Sequence, residues 1–97
     1  MRTIIETETG ALDALLGANV LVRTVTHYHV GQLVAADGDW LVLDGAAWVA
    51  DTGRFSAALN HGTLSEAEPF PDRVLVSRGA VVDLTAWRHD LPTSVIE

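Results

Sequence analysis

The sequence predicts a small, mainly β domain. Five to six short strands form an Sm-like or Src-homology-3-like barrel, with a short N-terminal helix and one inserted short helix. Three observations predict it. The chain has 97 residues, the length of a single domain covering 1–97. Short β-branched and apolar runs recur at roughly ten-residue spacing, the pattern of a sandwich or small barrel. Asp37-Gly38 and Asp44-Gly45 punctuate those runs, and Asp-Gly supplies the positive φ angles of tight hairpin turns.

Residues 9–17 read as a helix. Leu12, Leu15 and Leu16 fall on one apolar face at i, i+3, i+4 spacing. Thr9 caps its start, Glu6 and Glu8 favour its positive end, and Gly17 terminates it. Two turns do not hold alone, so this helix must dock. Residues 20–26 form a β-branched run and read as the first strand, and 31–36 as the second. After the turn at 37–39, residues 40–43 make a third strand. A turn at Asp44-Gly45 leads to a fourth at 46–50.

Residues 52–59 predict the inserted helix, with Thr52 as its cap, Phe55, Ala58 and Leu59 as its apolar face, and Asn60 to Gly62 as its end. Residues 64–72 hold Pro69 and Pro71 and read as a loop. Strands at 73–77 and 79–87 join near Arg78-Gly79, and 88–97 reads as loop or a late edge segment. No internal repeat, linker or low-complexity tract divides the chain.

Composition excludes several functions. Six arginines, no lysine and thirteen acidic residues give a net charge of −7. Non-specific nucleic-acid binding needs clustered cations, and these arginines are scattered. Attachment to an anionic membrane is disfavoured for the same reason. No segment reaches the roughly eighteen apolar residues of a membrane span. The N-terminus is acidic and polar rather than signal-like, so cytoplasm, or a particle assembled there, is the expected location. There is no cysteine, hence no disulfide scaffold, cysteine nucleophile or thiolate metal site. Apolar residues make up 48% of the chain, while a domain this size buries only roughly two-thirds of its unfolded surface. The excess apolar surface favours a homo-oligomer.

Leu16-Gly17, Val20-x-Val22-Arg23-Thr24, Gly31-x-Leu33, Gly38 and Val42-Leu43-x-x-Ala46 together resemble a group of small phage and prophage proteins of uncharacterised function. Weaker correspondences follow at Gly53, Leu59, Gly62, Pro71 and Val74. The resemblance implies a phage-like context and a small barrel. It brings no catalytic residues.

Six residues stand out as ligand-binding candidates: Arg23, His27, His29, Trp48, Asp51 and Arg54. His27 and His29 at i, i+2 on a strand point to one face. Two imidazoles begin a metal site, but a third ligand is not visible, so no metal and no cofactor are assigned. Arg23, inside an apolar strand, either pairs with an aspartate or grips an anionic ligand. Trp48 is the expected surface-facing aromatic, suited to stacking, with Arg54 at a helix start for phosphate. Trp40 is expected to begin its strand in the core. Asp37, Asp39, Asp44 and Asp51 lack the spacing and closing Glu of a calcium loop and read as turn aspartates. Ser56, Ser65, Ser77 and Ser94 lie in no nucleophile motif, and no phosphate loop is present. The expectation is a non-enzymatic, homo-oligomeric assembly protein of phage or prophage type. The alternatives are a module binding a small anionic, nucleotide-like ligand and an acidic inhibitor of a host protein.

Overall fold

The computed structural model describes residues 11–97. Six antiparallel strands form one open sheet: β1 (Asn19–Thr24), β2 (Tyr28–Ala36), β3 (Trp40–Asp51), β4 (Glu66–Pro69), β5 (Val74–Ser77) and β6 (Val81–Ala86). The order is β4-β3-β2-β1-β6, and β5 pairs with β3 off this path. One α-helix, α1 (Phe55–His61), joins β3 to β4. A 3-10 helix occupies Ala11–Leu15, where the sequence predicts the first helix. Its expected cap, Thr9, and the acidic Glu6 and Glu8 lie outside the described residues. Gly17 takes the expected positive φ, at 87°.

The strand count matches the expectation, but two elements differ. The Asp44-Gly45 turn does not occur. Residues 40–51 run as one twelve-residue strand. Gly45 has φ 58° and provides a β-bulge: Gly45 and Ala46 together oppose the single residue Gly31 of β2. The bulge lets β3 change partners. Its first part, Trp40 to Leu43, pairs with β5, and its last part, Ala47 to Asp51, pairs with β4. The second difference is β4, which forms within the stretch that reads as a loop. It is a short edge strand ending at Pro69, a position where a missing N–H is tolerated.

The turn at 37–39 does reverse the chain, by a different device. Gly38 is not among the positive-φ glycines. The Asp37 carboxylate instead accepts the N–H groups of Asp39 at 2.7 Å and Trp40 at 2.8 Å. Those bonds hold its pKa below the usual carboxylate value. The inserted helix forms as expected, but its N-cap is Arg54 rather than Thr52. Gly62 ends it with φ 74° and returns its N–H to the Ala58 carbonyl.

Burial on both faces of the sheet makes two cores. Val20, Val22, Leu33, Leu41, Leu43, Ala46 and Val76 form one, with Leu12 and Leu15 of the 3-10 helix packed against it. Leu21, Val30, Ala47, Val49, Ala58, Ala67 and Trp87 form the other. β1 therefore contributes side chains to both cores, as a central strand covered on both faces does. The second core is covered by α1 and by the C-terminal tail. The tail is not a loose loop: Ala67 and Ile96 exchange two backbone hydrogen bonds at 2.8 and 2.9 Å. Trp40 is 44% exposed, so the tryptophan expected in the core lies outside it. Its neighbour Leu41 takes the inward position by strand alternation.

Candidate functional site

β2, β3 and β4 line up one row of side chains. His29 lies directly across from Trp48, and Trp48 directly across from Glu68. Directly opposed residues in antiparallel strands share a face, so all three project from the same side. His27 joins them from the β1–β2 turn. Thr24 fixes that turn: its N–H donates to the His27 carbonyl at 2.8 Å, and its hydroxyl accepts the His27 N–H at 2.9 Å. Phe70 completes the group. Its N–H donates to the carbonyl of the bulge residue Ala46 at 2.8 Å.

These residues line a cleft of about 510 Å³ with Pro69. The His29 and Phe70 rings stack with centroids 5.9 Å apart, inclined by 24°. His27 and Trp48 lie 6.3 Å apart at 54°. The Nδ1 atom of His29 is buried and has no hydrogen-bond partner among the described residues. Burial lowers the His29 pKa, and the neighbouring His27 adds to the effect. The imidazole is therefore uncharged at neutral pH. Trp48 also lines a second hollow of about 280 Å³, with Tyr28 and Asp51.

The structure thus brings together three of the six sequence candidates, His27, His29 and Trp48, in one cleft. Asp51 borders the adjoining hollow and accepts the Gly53 N–H at 2.8 Å. Arg23 and Arg54 line neither. The Arg23 guanidinium is held by both carboxylate oxygens of Asp83 across the β1–β6 ladder, with Nε to Oδ1 at 2.7 Å. It also lies 5.1 Å from the Phe55 ring centroid and 5.7 Å from that of Tyr28. The hydrogen bond with Asp83 raises the Arg23 pKa and lowers that of Asp83. Arg54 is the exposed N-cap of α1. Of the aspartates that read as turn residues, Asp44 lies within β3 and binds Arg73 through two bonds of 2.6 and 2.9 Å. Among the described residues, no group of three or more His, Asp or Glu side chains is placed to hold a metal.

Phe70 and Glu68 escaped sequence reasoning. Both lie in the stretch that reads as a loop, and only the β3–β4 register carries them to the histidines. The alternation Glu66-Ala67-Glu68, exposed-buried-exposed, is the one signal that points to a strand there.

Comparison with known proteins finds no matching family model, no matching curated protein and no matching solved structure. No helix among the described residues is long and apolar enough to cross a membrane.

Proposed function

We propose that this chain is a non-enzymatic binding module whose ligand seats in the cleft beside Trp48. The observation that carries the reading is the convergence of four rings, His27, His29, Trp48 and Phe70, on one concavity. Its volume falls in the range of small-molecule sites, and apolar walls with a few polar groups are their usual composition. The test is thermal unfolding against a panel of nucleosides, nucleotides, aromatic amines and organic ammonium salts. A ligand present at a hundred times its Kd stabilises the fold by about 2.7 kcal/mol, or roughly 10–20 °C in a domain of this size. Trp48→Ala should lose that shift. A panel that moves the midpoint nowhere retires the reading.

A second reading, homo-oligomeric assembly of phage or prophage type, has its own supporting observation. Trp40 and Leu75 are 44% and 54% exposed. Val42 lies two residues from Trp40 and directly across from Leu75, so the three make an outward apolar row on β3 and β5. In this reading the sheet closes as an Sm-like or Src-homology-3-like barrel. The 3-10 turn Arg78–Ala80, which alone separates β5 from β6, supports such closure. Native mass spectrometry is the measurement. The expected result is a closed oligomer that Leu75→Glu returns to monomer; a monomer at micromolar concentration overturns it.

A further inference from the structure

Among the described residues, the charges beside Trp48 all have one sign. Of the described residues, one carboxylate, Glu68, and no arginine line the larger cleft. Of the same residues, one carboxylate, Asp51, and again no arginine line the adjoining hollow. Glu68 makes no ion pair among the described residues, whose salt bridges are Arg23–Asp83 and Arg73–Asp44. The whole chain carries −7, so its field draws cations and repels anions. An anionic ligand would meet an unpaired carboxylate here with no cation to offset it.

The rings complement the same charge. The face of an aromatic ring is the negative end of its quadrupole, and Trp is the strongest of the aromatic side chains toward cations. Trp48 stands between His29 and Glu68 in the row, and Phe70 stacks on His29. His29 is uncharged at neutral pH because it is partly buried, so it adds no repulsion.

We infer that the cleft binds an alkylated ammonium ion, with its methyl groups against Trp48 and Phe70 and its charge balanced by Glu68. This rests on the binding reading above and fixes the chemical class of the ligand. An ammonium ion bearing methyl groups presents apolar surface and charge together, which matches walls made mostly of rings and carrying one carboxylate. A small, strongly hydrated inorganic cation would gain nothing from the rings.

The experiment is calorimetric titration of the native chain with trimethylammonium, choline, a trimethyllysine amide and the neutral carbon isostere of choline. Choline or the lysine derivative should bind at least about tenfold more tightly than the isostere, which has the same shape without the charge. The tighter of the two tells a free small molecule from a modified side chain. Glu68 is exposed, so Glu68→Gln should leave the fold intact and weaken cation binding about tenfold, with no effect on the isostere. Equal affinity for choline and its isostere, or an unchanged affinity in Glu68→Gln, overturns the inference. A neutral or anionic member of the broader panel binding where ammonium ions do not would sink the cation class and leave the binding reading standing. No binding by any compound would remove both.

Discussion

Trp87→Ala is expected to lower the unfolding free energy by about 3–5 kcal/mol, the usual result of emptying a buried Trp site. For a domain whose total stability is of order 5–15 kcal/mol, that is a large share. Trp87 is 3% exposed in the second core. Its backbone N–H donates to the Asn19 carbonyl at 2.8 Å, and its indole N–H to the Asp90 carbonyl at 3.2 Å. It thereby ties the start of the tail to β1. His89 packs edge-on against it at 5.0 Å and reaches the Leu59 carbonyl of α1 at 2.8 Å. Removing the indole therefore loosens the helix and the tail together. Urea unfolding should give a lower midpoint and a lower m-value, because a detached tail already exposes its surface in the native state. Trp87→Phe keeps most of the volume and should cost far less. An m-value unchanged in Trp87→Ala would mean that the tail stays docked without its anchor.

Gly31→Val should be the second large loss, at or above the upper end of the roughly 1–3 kcal/mol typical of overpacking. A Cβ at position 31 would lie 3.1 Å from the Cβ atoms of both Ala46 and Leu43, and 3.2 Å from the Ala46 Cα. These atoms sit on or next to the main chain of β3 and cannot swing aside. The crowding follows from the bulge, where two residues of β3 face this one residue of β2. Gly31→Ala should cost much less. Its single methyl needs a shift of tenths of an ångström, and the reduced freedom of the unfolded chain returns about 0.4–1 kcal/mol. Chemical denaturation of Gly31→Val, Ala46→Gly and the double variant checks the cause. Part of the loss should be recovered in the double variant, because Ala46→Gly removes the opposing methyl. Strict additivity would show that the contact is not the reason.

Much of the architecture is legible in the sequence, and the failures have physical causes. The β1, β2, β5 and β6 runs are β-branched and apolar, and local composition is enough to place them. Asp37-Gly38 and Asp44-Gly45 are the same dipeptide with opposite outcomes. At 37–39 the chain reverses. At 44–45 a reversal would take Ala47 and Val49 away from β2, where both fill the second core. A bulge keeps them there, and that choice depends on a partner strand that the local sequence does not contain. β4 is polar on its exposed face and contributes only Ala67 to a core, so it carries almost no hydrophobic signal. The candidate site divides in the same way. Strand position and an unusual aromatic bring out His29 and Trp48, whereas His27, expected on the same strand, lies in the turn before it. Phe70 and Glu68 depend on register between strands distant in sequence. Arg23 was legible as a charge needing a partner, but only the β1–β6 ladder identifies Asp83.

The placing of β1 between β2 and β6 also bears on how the chain reaches this state. β2 and β3 meet across a three-residue turn, but Leu21 finds Thr85 only after the long stretch between them, most of the described chain, has been drawn into a loop. The entropy of that closure is lost before any β6 contact compensates for it. Domains dominated by such distant pairings fold in about milliseconds to seconds, far more slowly than helical ones. During that interval Val20, Leu21 and Val22, all buried in the finished fold, sit on a strand with an open edge. The most protected segment of the native protein is therefore its most adhesive one while the chain is folding.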